Sequence, residues 1–445
     1  MLHTYEEAVS WINNLIPFGI KPGLKRMEAL AEAFEHPERR LKVIHVAGTN
    51  GKGSTCRMIA DVLEQCGYDV GIFTSPYIVR FTDRIRYNGE PIPDDELIRL
   101  ANEVKPHVER IASTELGSPT MFEVTTMISI LYFSKVAYPD YVVMETGLGG
   151  RLDSTNILHP VVSVITNVGY DHTDILGETI QQIASEKAGI IKAGVPVVST
   201  AEDEAARKVI ADKAAQLKST CYLLDREFII QPVKSELNEQ IFDFEGPFRK
   251  IPQVKLTMNG VHQLKNAAAA LMTLEVLRQY YALIVEEEDL YQAMRNVSWP
   301  GRMEMIQEHP RLLVDGAHNP EGSQALSHTI HTLYRYEKLH FMMGMLETKN
   351  HKAYLEHILP IVDTLILTEP DFRKKMSAAS LEELVRQHPA SSQIRIVVEP
   401  DWEKALDLLQ SMTSEQDLAV VSGTLYLISD VRSRVLHHSH SEKGW

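Results

Sequence analysis

The sequence predicts an α/β protein: a P-loop-type, mostly parallel sheet domain carrying a small antiparallel β section, followed by a C-terminal Rossmann-like α/β domain. Three observations predict it. β-rich apolar runs alternate with helical patterns up to about residue 295, the alternation breaks at Pro300-Gly301 and restarts at Leu312, and 445 residues are too many for one core. The boundary falls near 297–301, giving a first unit over 1–297 and a second unit over 298–445.

In the first unit, runs at 41–47, 69–74, 140–145, 161–166 and 195–199 read as strands with amphipathic stretches between them. A plainer β section follows over 220–257, where Tyr222-Leu223-Leu224, Phe228-Ile229-Ile230 and Ile241-Phe242-Asp243-Phe244 read as short antiparallel strands decorating the main sheet. Lys265 to Tyr281, with four consecutive alanines, reads as a close-packed helix, and a second helix covers about 287–295. In the second unit, Leu312-Leu313-Val314 precedes a helix from about 320, and strands near 338–343, 364–368, 394–398 and 418–422 alternate with helices. There is no internal repeat and no low-complexity segment.

Composition is that of an ordinary globular protein, 44% apolar and 24% charged. A net charge of −15 argues against a nucleic-acid surface, and it requires an anion site to gather its own cations. Cys56, Cys66 and Cys221 lack metal-site spacing and read as core thiols of a reducing compartment. The acidic N-terminus does not resemble a signal peptide and no apolar run approaches a membrane span, so a cytoplasmic protein without membrane partners is expected. Monomer is the default expectation. The tail His437-His438-Ser439-His440-Ser441-Glu442-Lys443-Gly444-Trp445 reads as a frayed polar terminus, with adventitious metal binding as the other reading.

The chemistry begins at Val43-Ile44-His45-Val46-Ala47-Gly48-Thr49-Asn50-Gly51-Lys52-Gly53-Ser54, a strand breaking into a glycine-rich turn before a helical segment, Thr55 to Cys66. Converging N–H groups and a helix N-terminus suit a phosphate, Lys52 would reach the β- and γ-phosphates, and Ser54 would hold Mg²⁺. Only Thr49 and Asn50 separate Gly48 from Gly51, so the loop is a shortened variant; a plain strand-to-helix turn is the alternative.

Other strand ends carry further candidates. Tyr141-Val142-Val143-Met144 ends in Glu145 and a glycine loop, so Glu145 is a metal ligand or a capping acid. Val162-Ser163-Val164-Ile165-Thr166 leads to Asn167-Val168-Gly169-Tyr170-Asp171-His172, which brings His172 to the same sheet edge as a ligand or as a surface loop residue. Lys187 in Ser185-Glu186-Lys187-Ala188-Gly189 reads on physics alone as a C-terminal helix cation. Past the hinge, Arg302 could swing onto a γ-phosphate or remain a surface charge. Asp315 and His318, in Asp315-Gly316-Ala317-His318-Asn319-Pro320, form another strand-end acid and histidine, with a helix cap as the simpler role for the acid.

Together these motifs resemble the folylpolyglutamate synthase / dihydrofolate synthase family of the Mur-type ligases. The similarity runs in order through Phe18-Gly19-Ile20-Lys21-Pro22-Gly23-Leu24, the shortened phosphate loop, Thr74-Ser75-Pro76, Glu145 to Gly150, Glu186 to Ile190 and Asp315 to Pro320. The resemblance implies an ATP-dependent ligase that adds L-glutamate to a folate or dihydropteroate carboxylate. It implies two Mg²⁺ ions, which Mn²⁺ could replace: one near Ser54, Ser75 and Glu145, the other at His172 and a carbamylated Lys187, whose new oxygens suit a hard cation. It implies nucleotide contacts at Asn266, Arg302, Asp315 and His318, and pteroate contact at Phe122, for which a core aromatic is the alternative. Arg80 and Arg84, near Ser75, bind a substrate carboxylate or are solvated. Two segments depart from the family: Met345-Leu346-Glu347-Thr348-Lys349-Asn350 stands in place of a Leu-x-Asp-Lys-Asp pattern, and Arg373-Lys374-Lys375 in place of an Arg-Ala pair. These leave the glutamate subsite open. A Mur-type ligase with another acid substrate and a non-enzymatic nucleotide-binding protein are the rival readings.

Overall fold

The structure is a computed structural model that describes residues 1–15, 22–439 and 441–442. Phe18 to Lys21 of the first family-like motif, and His440 and Lys443 to Trp445 of the tail, lie outside the described residues.

The strand β1 (Val43–Ala47) is buried along its whole length. Ile44 and Val46 pack into one apolar cluster while Val43 packs into another on the opposite face, as expected of a strand covered on both sides. The first sheet also contains β2 (Val70–Phe73), β3 (Ile85–Tyr87), β4 (Glu90–Pro91), β5 (Tyr141–Glu145), β6 (Pro160–Ile165), β7 (Val197–Ser199) and β8 (Cys221–Leu223), in the order β4-β3-β2-β5-β1-β6-β7-β8. β1 pairs in parallel with β5 and β6. The edge strands β3 and β4 are antiparallel. The carboxyl ends of β1, β5 and β6 are therefore neighbours, which gathers Gly48, Glu145 and Asn167 at one edge.

A three-stranded antiparallel sheet follows: β9 (Ile229–Glu236), β10 (Glu239–Glu245) and β11 (Lys250–Leu256), with β10 in the middle. Phe242, Phe244, Ile251 and Val254 of this sheet join the same core as Ile44 and Val46. The structure corrects one strand: Tyr222 does not belong to this antiparallel section but to β8, which runs parallel to β7 as the eighth strand of the main sheet. The helix Glu204–Gln216 forms the crossover between them, and a crossover returns the chain in the same direction. The helix Val261–Tyr281 buries Ala267 to Ala270 completely, and these small side chains let it pack closely on the helix Lys52–Gln65.

After the helix Glu287–Asn296 the chain crosses through Pro300-Gly301 into a six-stranded sheet. Its strands are β12 (Glu304–Glu308), β13 (Arg311–Val314), β14 (Leu339–Met343), β15 (Thr364–Glu369), β16 (Arg395–Asp401) and β17 (Leu418–Ser422), in the order β12-β13-β17-β14-β15-β16. All pairings are parallel except that of β12 with β13. β12 is absent from the sequence reading because its polar, charged run Glu304-Met305-Ile306-Gln307-Glu308 sits at the sheet edge, half exposed, and lacks an apolar signature. Among the described residues no helix is long and apolar enough to cross a membrane. The cysteines are free, with Cys56 buried.

Candidate active site

The phosphate loop is fixed from below by β6. Thr49 N donates to Asn167 O (3.0 Å), Asn50 N to Asn167 Oδ1 (2.6 Å), and Thr166 Oγ1 to Asn50 O (2.6 Å). Gly51 adopts φ +82°, and a Cβ there would collide with Asn266 Oδ1 on the helix Val261–Tyr281, so the turn requires glycine on both counts. The helix Lys52–Gln65 starts directly after it with no side-chain cap, leaving its first N–H groups available to an anion. Lys52 Nζ folds back to Gly48 O (3.2 Å) and Thr49 O (3.3 Å) and lies 3.9 Å from Glu145 Oε1. Ser54 Oγ is buried and finds no hydrogen-bond partner among the described residues.

Glu145, the last residue of β5, is 4% exposed and accepts from Ser75 N at 3.0 Å. Burial raises its carboxyl pKa, against the pull of Lys52 and the Ser75 N–H. His172 has left-handed backbone (φ 50°), and burial with the nearby Lys349 charge lowers its imidazole to about 4. Lys187, near the end of the helix Ile180–Ala188, is 2% exposed, and burial together with Lys52 lowers its ammonium to about 7. Among the described residues no cluster of three or more His, Cys, Asp or Glu side chains is arranged to hold a metal. A hard cation fits the orphan Ser54 hydroxyl beside Glu145; an unmodified Lys187 does not fit one, whereas a carbamate would.

The opposite wall comes from the second sheet. Asp315, just past β13, is buried and accepts from Met303 N and Ala317 N, both at 2.9 Å. Burial raises it and Arg302 opposes the rise. His318 Nδ1 lies 2.8 Å from Gly316 O and its Nε2 3.3 Å from Asp171 Oδ2. Asn50 and Asn319 exchange side-chain hydrogen bonds across the two halves at 3.1 and 2.9 Å. All residues predicted for nucleotide and metal, from Gly48 to Ser54 and from Ser75 to His318, line a single cavity of about 640 Å³.

Three participants escaped the sequence reading: Asn167, Asp171 and Lys349. Asp171 accepts from Lys349 Nζ at 2.8 and 3.1 Å; burial would raise its carboxyl, but His318 and Lys349 hold it well below the usual range. The only signals were its place beside His172 and the lysine in the segment that departs from the family pattern.

A second, more apolar cavity of about 350 Å³ adjoins the first, sharing Ser75, Pro76, Gly147, Leu148, His172 and Leu176. Phe122 lines it from the first turn of the helix Met121–Tyr132, which a Thr120–Glu123 capping box starts. Its ring covers Gly147, where a Cβ would come within 2.5 Å, and packs 5.8 Å from Phe73, so it lines the cavity and packs on the core at once. Arg84 also lines this cavity; it is 3% exposed, beneath Tyr77 at 5.0 Å, which overturns the solvated reading. Arg80 lines neither cavity: its guanidinium is engaged by Asp94 (3.0 Å) and Glu442 (3.1 Å), and acids already neutralise the charge a substrate carboxylate would need. Tyr426, stacked on Phe372 at 4.2 Å, reaches this cavity from the second half and was not foreseen.

Residues 46–274 match the Mur ligase middle domain and residues 301–425 the Mur ligase glutamate ligase domain. The chain is 37% identical over 442 residues to a dihydrofolate synthase/folylpolyglutamate synthase of Bacillus subtilis, covering 98% of this chain and 100% of that one. It is 33% identical over 434 residues to the folylpolyglutamate synthase of Lacticaseibacillus casei, with 97% and 99% covered. Its fold is similar to the crystal structure of folylpolyglutamate synthase from Thermotoga maritima (TM-score 0.85, 32% identity, 99% and 98% covered). It is also similar to E. coli FolC in complex with DHPP and ADP (TM-score 0.86, 27% identity, 96% and 97% covered).

Proposed function

The chain belongs to the folylpolyglutamate synthase/dihydrofolate synthase family of Mur ligases and is an ATP-dependent glutamate ligase; on that premise we propose that it joins L-glutamate to the carboxylate of dihydropteroate or a folate through an acyl phosphate. The observation that carries this reading is the adjacency of the two cavities, a polar one with a phosphate loop and an apolar one with Phe122, meeting at Ser75, Gly147 and His172. In this reading the acid lies against Phe122 with its carboxylate at the shared rim, and ATP lies between the phosphate loop and Arg302, Asp315 and His318.

A carboxylate resists attack by an amine because it is anionic and its oxygen leaves poorly. Transfer of the ATP γ-phosphoryl group to that oxygen releases ADP and makes it a phosphate leaving group; the free glutamate amine then forms the C–N bond as the C–O bond to phosphate breaks, and the proton lost by the amine passes to bulk water. Lys52 and Arg302 would stabilise the charge on the moving phosphoryl group, and the N–H groups at the start of the helix Lys52–Gln65 would orient the phosphates. Two divalent ions would be held by Ser54, Ser75 and Glu145 and by His172 and carbamylated Lys187, and when bound would supply further positive charge to the phosphate oxygens. The carbamate forms when the neutral Lys187 amine adds to CO₂, making a C–N bond and releasing one proton; burial favours that neutral amine. Closure of the 298–445 unit on the 1–297 unit would exclude the water that hydrolyses acyl phosphates.

Phosphate release from MgATP with L-glutamate, with dihydropteroate or tetrahydrofolate as acceptor and product masses read in parallel, tests the proposal. One added glutamate on dihydropteroate establishes synthase activity, and a ladder on tetrahydrofolate establishes polyglutamylation. Absence of glutamate-dependent turnover with both acceptors overturns the substrate assignment.

A further inference from the structure

The segment after the helix Leu425–His437 folds back onto the first half of the molecule. Ser441 Oγ donates to the buried Asp430 Oδ1 on that helix (2.5 Å). The next residue grips the stretch between β2 and β3. Glu442 N donates to Val79 O (2.9 Å) and its carbonyl accepts from Tyr77 OH (3.2 Å). Its carboxylate accepts from Tyr5 OH (2.6 Å), Phe81 N (2.8 Å) and Arg80 Nε (3.1 Å).

The gripped stretch shapes both cavities. At one end Ser75 N donates to Glu145; at the other Arg84, beneath Tyr77, lines the apolar cavity. Glu442 and Arg80 are 29% and 41% exposed, so their ion pair alone contributes little. The contacts with the main chain matter more: loss of the Glu442 carboxylate leaves the N–H of Phe81 without its acceptor, removal of residues 439–445 also takes the Glu442 N–H from the carbonyl of Val79, and a surface loop with fewer internal contacts samples more conformations. The last helix brings Tyr426 to the same cavity and carries Asp430, so strap and wall share one support.

We propose that Glu442 is a positioning residue for the acid substrate: anchored through Ser441 to the last helix, it holds the Ser75–Arg84 stretch in the shape that forms the apolar cavity. This rests on reading that cavity as the acid site.

The test is steady-state kinetics on the full chain, with urea unfolding alongside. Glu442→Ala, and separately removal of residues 439–445, should raise the KM for the acid about fivefold while leaving the KM for ATP and the unfolding midpoint in place. Glu442→Gln, which keeps an acceptor for Phe81 N–H and Tyr5 OH, should recover most of the loss. Glu442→Ala combined with Arg80→Ala should cost less than the sum of the two. An unchanged acid KM in both the alanine and truncated forms overturns the proposal, as does a parallel shift of both KM values with a lower unfolding midpoint. Phe122→Ala serves as the reference: if it leaves the acid KM unchanged, the cavity assignment itself fails, separately from the strap.

Discussion

Lys349 Nζ lies 2.8 Å from Asp171 Oδ1, a nearly buried ion pair that ties the second half of the molecule to the loop carrying His172. Removing Lys349 takes away the cation nearest a carboxylate of 11% exposure and leaves it the longer side-chain contacts to His318 and Asn319, both at 3.3 Å. Lys349→Met should therefore destabilise the protein by about 3 kcal/mol and lower kcat more than tenfold. Urea unfolding and steady-state rates check this, and an unchanged unfolding midpoint would show that the pair contributes nothing.

Gly51 is the turn residue whose Cβ would meet Asn266 and whose φ is +82°. Gly51→Ala should raise the KM for ATP about tenfold while the apo protein loses only about 1–2 kcal/mol of stability. Isothermal titration with a non-hydrolysable ATP analogue measures the first, and thermal unfolding the second. Nucleotide affinity equal to that of the parent would contradict the phosphate-loop assignment.

Phe122 covers Gly147 at the apolar cavity. Gly147→Ala should displace the ring and raise the KM for the acid about tenfold, with the KM for ATP within about twofold of the parent. Initial-rate kinetics with each substrate varied in turn will separate the two effects.

Lys187 carries a pH signature. Its ammonium is lowered from 10.5 to about 7 by burial and by Lys52, so between these values the unfolded chain holds a proton that the folded chain lacks. Stability therefore rises with pH across that window; the cost of burying this group is full below about 7 and gone above 10.5. In metal-free, CO₂-depleted buffer, Lys187→Met should be more stable than the parent by on the order of 3 kcal/mol at neutral pH, and the gap should close toward the alkaline end. Urea titrations at the two pH extremes decide it, and a gap independent of pH would rule out the shift. If Lys187 is carbamylated as proposed, the same variant should be inactive in turnover assays and partly restored by formate, whose oxygens can stand in for those of a carbamate.

What was legible in the sequence was local. The strand, glycine turn and helix of residues 43–65 are contiguous, so their roles could be read from order alone, and the family followed from several such runs. Lys349 and Asp171 are 178 residues apart, and nothing in either segment announces the other. For Arg84 the sequence left carboxylate binding and solvation open, because it does not show that the rings of Tyr77 and Phe81 pack against the guanidinium and bury it. Tyr222 was misread because an apolar triplet does not reveal the direction of its neighbour; the crossover helix determines that.

The larger cavity has one wall from each sheet, with Lys52 on the first and Arg302 and Asp315 on the second, and residues 297–303 carry the chain from one sheet to the other. If ATP binds there as proposed, its affinity should depend on how the two walls sit against each other. A substitution at Val297 or Ser298, in the part of the crossing that lines neither cavity, should then change how tightly ATP is held without touching a group that faces it.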